Sequence, residues 1–180
     1  FEVGTEEAIR KFEIDELDEF LTDLHFYLGT DIYKKIVYLV IQSGTSLSGT
    51  TQTGTYDKRR LNSMIDLCKR KKLLSKEHNG DYMSMNQMKE KFQLGLDAIN
   101  IAPELGRVES AYIWDRIMHL QEFKYLDVFY NLCILHAPYQ KWLLDDKPIE
   151  SYSKENVCKA FGHYVFNIPE FIELKRILDI

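Results

Sequence analysis

A chain of 180 residues can enclose one sizeable hydrophobic core and is short for two independent domains. Hydrophobic residues make up 45% and charged residues 28%, and the net charge of −5 argues against a general nucleic-acid binder, which needs a basic face. No apolar run approaches the roughly 18 residues of a membrane span, and the first residues are not expected to act as a signal peptide. Cys68, Cys133 and Cys158 are odd in number and lie in helical patterns. They read as buried thiols of a cytoplasmic protein, with no disulfide set and no metal motif.

In chain order, Phe1–Thr5 alternates apolar and polar residues and runs into a loop at Gly4-Thr5-Glu6-Glu7. It has no initiator Met and no cap, so the expectation is a fragment of a longer protein. Asp15–Leu28 places Leu17, Phe20, Leu21, Leu24 and Leu28 on one helical stripe, with Gly29 as its stop. Ile36–Gln42 is a nearly continuous apolar run, as expected of a parallel strand buried on both faces. The loop Ser43–Thr55 follows, with three glycines and many hydroxyls. It reads either as a backbone cradle for a phosphate, around Gly44 and Thr45, or as an ordinary surface loop. Asp57 is the expected N-cap of a helix over Arg59–Lys71, with Leu61, Met64, Ile65 and Cys68 inward. The basic runs Lys58–Arg60 and Lys69–Lys72 read as solvated helix faces, not as a polyanion site.

A short strand is expected at Leu73–Lys76, a helix at Asn86–Leu94 stopped by Gly95, and a fourth strand at Asp97–Ile101. Pro103 forbids a central extension of that strand. Beyond Leu105 only helices are predicted, at Val108–Phe123, Leu126–His136, Ser153–Phe161 and Pro169–Leu178. Four βα units followed by a helical tail divide the chain at 1–124 and 125–180. Right-handed crossovers allow either an open doubly wound sheet or half of a closed (β/α)8 barrel.

Ligands of such folds gather at the carboxyl ends of the strands, so the polar residues there are the candidate site. Glu77, His78 and Asp81 are the sharpest group, able in type to move a proton or, through His78, to ligate a divalent zinc or magnesium ion. Adjacent strand residues point to opposite faces, however, so Glu77 and His78 meet one ligand only if the strand has broken between them. The other histidines lie in helices or the tail, which leaves no three-histidine set. Glu2 inside a barrel requires a cation, a Lys partner or a substrate hydroxyl; a surface position is the other reading. Gln42 and Asn100 end buried strands and Asn79 lies in the polar cluster after another, where they are suited to sugar hydroxyls or a phosphate. Arg107 and Glu109 are read as charges on the following helix. Tyr139, Trp142, Tyr152 and Tyr164 are read as packing in the tail.

The ordered segments FEVGTEE, VIQSGT, KEHNGDY, INIAPELGRVESAYI, HAPYQKW and FGHYVFNIPEF cover essentially the whole chain. Their order resembles the second half of the non-catalytic subunit of class II tagatose-bisphosphate aldolase. The resemblance implies a (β/α)8 TIM barrel with a C-terminal helical extension and a role in sugar-phosphate metabolism, with a phosphorylated ketose as ligand. It also implies a partner, either a separate catalytic aldolase subunit or further copies of the chain. Members are described too as sugar-phosphate kinases, but no nucleotide motif occurs here. KEHNGDY and the segment around NIAPELG depart from the best-known members, which implies a diverged paralogue. A self-sufficient metal-dependent lyase or isomerase is the alternative, and it needs ligands upstream of Phe1.

Overall fold

The computed structural model describes residues 1–4, 11–48, 51–141 and 147–180. The expected loop at Thr5–Glu7 and Trp142 therefore lie outside the described residues. The chain divides into two compact units, 1–47 with 51–101, and 102–180 with 48–50. Each has its own buried apolar cluster, where length alone suggested a single core.

The strands are, in chain order, β1 (Glu2–Gly4), β2 (Tyr38–Ile41), β3 (Leu47–Ser48), β4 (Thr51–Gln52), β5 (Leu74–Glu77) and β6 (Ala98–Ile99). β1, β2, β5 and β6 form one sheet in that spatial order, every neighbour parallel; β3 and β4 make a small separate ribbon. The helices between the sheet strands are α1 (Ile14–Tyr33), α2 (Lys58–Lys71) and α3 (Met85–Gln93). Successive parallel neighbours joined through helices are the half-barrel order expected from the sequence.

Local chemistry accounts for the boundaries. The Asp57 carboxylate accepts from the backbone N–H groups of Arg59, at 2.9 Å, and Arg60, at 3.1 Å, and starts α2 as predicted. Ser84 and Gln87 form a reciprocal capping box at the start of α3. Gly29 interrupts α1 with φ 72°, but one further turn follows to Tyr33, so glycine kinks this helix instead of ending it. Leu39 and Ile41 pack with Leu17, Leu21, Leu61, Met64 and Ile65 on the helix side of the sheet.

The second unit is helical: α4 (Pro103–Leu120), α5 (Lys124–His136), α6 (Lys154–Phe161) and α7 (Pro169–Ile177). Pro103 takes the first-turn position, so α4 begins earlier than the pattern from Val108 suggested. Ile113 and Ile117 of α4 are buried with Phe129, Cys133, Cys158 and Phe171, which places this helix with the tail. Glu109 pairs with Lys175 at 2.6 Å, and Tyr139 and Tyr152 pack against the same cluster. The three cysteines are free and buried; burial, then the nearby Asp97, pushes the Cys68 thiol up to about 12. No helix among the described residues is long and apolar enough to cross a membrane.

Candidate functional site

Strand register decides which side chains meet at the carboxyl end of the sheet. β5 pairs Val40 with Lys76 and Ile41 with Glu77, so the alternation sends Glu77 to the helix side with Ile41 and Lys76 to the opposite face. β5 also runs through Glu77, one residue beyond the predicted end, and the backbone N–H of Asn100 donates to the Glu77 carbonyl at 2.8 Å. The strand has not broken at Glu77, and the two neighbours part company.

On the helix side Glu77 is fully buried, an expensive place for a carboxylate without partners. Lys91 of α3, itself 1% exposed, donates to Glu77 Oε2 at 2.7 Å and to Ser43 Oγ at 2.9 Å. Ser43 Oγ donates in turn to Glu77 Oε1. The ammonium also lies 4.5 Å from the ring centroid of Tyr56. This closed set joins the end of β2, the end of β5 and α3. It ties three elements together and is shut off from solvent.

The opposite face carries a second cluster. Lys76 Nζ donates to Glu2 Oε2 at 2.5 Å, and His78 Nε2 lies 3.3 Å from Glu2 Oε1. The Lys76 hydrogen bond is the main reason the Glu2 carboxyl sits below the usual carboxylate range, with His78 adding to it. Lys76 also lies 5.6 Å from the ring centroid of Tyr38. Glu2 and His78 each leave 39% of their side chains exposed, so this cluster is open to a ligand. Chemically it offers an ammonium for an anion, a carboxylate for hydroxyl protons and an imidazole that can do either. Glu2 thus has the Lys partner that a position inside a barrel demanded.

The remaining candidates fall in several surroundings. The Gln42 side-chain oxygen accepts from the Phe12 backbone N–H at 2.8 Å, and Arg60 donates through Nε to the Gln42 carbonyl at 2.8 Å. Gln42 therefore locks the starts of α1 and α2. Gly44 has φ 97° and abuts Thr55, where a Cβ would overlap the Thr55 carbonyl; Thr45 beside it is 4% exposed. The Ser43 carbonyl accepts from the Asp57 N–H at 3.0 Å, which closes the same loop on itself. Those contacts account for the Gly44 conformation without an anion. Gln52 donates to the backbone carbonyls of Asn79 and of Asp81, the latter at 2.7 Å, and stitches the loop after β2 to the loop after β5. Asn79 adopts φ 58° and Asp81 is 2% exposed, whereas the Asn100 side chain is exposed and its carbonyl accepts from Gly80 at 2.9 Å. Among the described residues no three His, Cys, Asp or Glu side chains are grouped to hold a metal ion, and His78 has Glu2 alone beside it.

No protein-family model matches the sequence, and no curated protein matches it. Among solved structures, one from Sinorhizobium meliloti 1021, described as a probable tagatose 6-phosphate kinase, superposes with a TM-score of 0.72 at 16% identity. That alignment covers 98% of this chain and 48% of the other, so the chain spans about half the length of its structural relative. The fold is half of a parallel (β/α)8 barrel followed by helices. The YdjI aldolase from Escherichia coli K12 aligns with a TM-score of 0.38 at 13% identity, over 94% of this chain and 59% of that one, too weakly to bear on the fold.

Two residues of this half-barrel escaped the sequence reading. Lys76 was legible in principle, because period-two alternation through Leu74-Ser75-Lys76-Glu77 puts it on the face that Glu77 avoids. Lys91 carried no such signal, since it follows Lys89 and Glu90 in a polar helix and looks like a solvated lysine.

Proposed function

We propose that this chain is half of a barrel protein of sugar-phosphate metabolism, of the kind that assists a class II aldolase, and that it binds a phosphorylated ketose. The observation that carries the reading is the open Glu2–Lys76–His78 cluster on the sheet face that α1, α2 and α3 leave uncovered. In this reading Lys76 meets the phosphate, Glu2 accepts from sugar hydroxyls, and His78 and the exposed Asn100 complete the polar rim. The likeness to a structure described as a probable tagatose 6-phosphate kinase supports the sugar-phosphate class. The order of segments that resembles the non-catalytic aldolase subunit supports the assisting role. The ligand of the whole protein, its catalytic partner and its assembly belong to the same proposal.

Titration calorimetry with tagatose 6-phosphate tests the binding face. The expected result is saturable binding that weakens at least tenfold in Lys76→Ala and remains in Lys91→Arg. Binding that is indifferent to Lys76→Ala removes the proposal. Aldol cleavage by the purified protein without a second subunit would defeat the assisting role and leave the binding face standing.

A further inference from the structure

The opposite end of the same sheet, where the strands begin, holds a cavity of about 510 Å³. It is lined by the last part of α1, the end of α2, and the residues that lead into β2 and β5. We propose that it is a second binding site, for a small phosphate ester or other small polyanion, separate from the carboxyl-end rim.

The charge of the lining carries the proposal. Lys34, Arg70, Lys71 and Lys72 all line the cavity, and among the described residues no carboxylate does. Asp18, just outside it, accepts from Lys71 and lies 3.4 Å from Arg70. Lys71 is held further by Thr22 Oγ1 at 2.8 Å. One carboxylate thus serves two of the cations. The ammonium groups of Lys34 and Lys72 have no ion-pair or hydrogen-bond partner among the described residues, so the concavity keeps an excess of positive charge. Field lines focus in such a concavity and draw in anions.

Basic residues in the last turn of a helix ordinarily just offset its dipole, which explains cations turned to solvent. Lys34 caps the C-terminus of α1 and serves that helix's dipole in the same way, but dipoles alone do not account for cations from two different helix ends lining one cavity. Lys72 closes α2 in the left-handed conformation, φ 61°, where glycine is the usual residue, and it too lines the cavity. The walls suit an organic anion as well. His25 stacks on Tyr33 with centroids 4.4 Å apart, and Leu21, Ile36 and Leu73 supply apolar surface. Burial, then Asp18, raises the Tyr33 phenol above its ordinary range, so it stays protonated and available as a donor. The volume lies within the roughly 300–1,000 Å³ of small-molecule sites. The basic run Lys69–Lys72, read from sequence as a solvated helix face, acquires this role only because Lys34 comes to meet it.

Pyrophosphate serves as the probe, by calorimetry at low and at physiological salt with the whole protein. The expected result is saturable binding, reduced at least tenfold in the Lys34→Ala/Lys72→Ala double variant. It should persist in Lys76→Ala, which separates this site from the one proposed above. It should persist also in Lys89→Ala/Lys124→Ala, which removes equal charge elsewhere. No binding, or equal losses in the two double variants, overturns the proposal. Histidine ring NMR of the unmodified protein gives an answer free of any folding defect: pyrophosphate should shift His25 and leave His78 in place. Shifts confined to His78 would overturn this site and leave the carboxyl-end rim standing.

Discussion

Two clusters on β5 use almost the same parts. On one face a carboxylate, a lysine and a hydroxyl (Glu77, Lys91 and Ser43) meet with essentially no exposure; on the other a carboxylate, a lysine and an imidazole (Glu2, Lys76 and His78) meet partly exposed, Lys76 at 16% and the other two at 39%. The difference is one of surroundings. Buried charges must be mutually satisfied because the interior offers no other solvation, and every donor and acceptor they have is then used for architecture. Partly exposed charges contribute little to stability, since water already solvates them, and they remain exchangeable for a ligand. Residue type alone therefore does not tell the two clusters apart; the face of the strand does.

That contrast is broken most directly at Lys91. Lys91→Met leaves Glu77 as an unpaired buried charge and is expected to cost about 3–5 kcal/mol in urea denaturation. Adding Glu77→Gln to it should restore most of the loss, because the orphaned charge is gone. If the single variant is no worse than Lys76→Met, the two clusters do not differ as argued.

The loop that carries Ser43 gives the next largest effect. Gly44→Ala puts a side chain into left-handed backbone against the Thr55 carbonyl and is expected to cost more than about 1 kcal/mol. Unchanged stability would show that the loop closes by some other route. For Lys76→Ala the expectation reverses in kind: under about 1 kcal/mol of stability, with the loss appearing in sugar-phosphate binding.

The smallest effect sharpens the comparison through pH. The Glu2 carboxyl is depressed below its ordinary 4.5 by Lys76 and then His78. Its ion pair therefore contributes fully above that value and is lost as pH falls through the depressed folded value. Wild type should exceed Glu2→Gln slightly in stability at neutral pH and match it in strong acid. A gap that widens in acid would contradict the pairing.

Much of the fold was legible because the signals are local. Hydrophobic periodicity and the side chain of Asp57 specify α2, and the apolar run after Ile36 specifies a buried strand. Pro103 and Gly29 mark real events, though one starts a helix that the pattern began later and the other kinks a helix it was expected to stop. The site was legible in part. Alternation required Glu77 and His78 to diverge if the strand ran on past Glu77, and a place inside a barrel required a partner for Glu2. Which partner it found could not be read, because Lys76 is 74 residues away in sequence.

By itself the sequence determined the order of the four sheet strands and the helices between them, the parallel α/β class and the positions of several caps, all of which depend on interactions within a few residues; the β3–β4 ribbon lies inside what reads as a loop. Tertiary structure alone decided that Lys91 is a core residue, that Lys34 faces the basic end of α2 across a cavity, and that α4 packs with the tail. Those outcomes depend on where helices settle against a sheet, and burial at such contacts changes what an identical side chain can do.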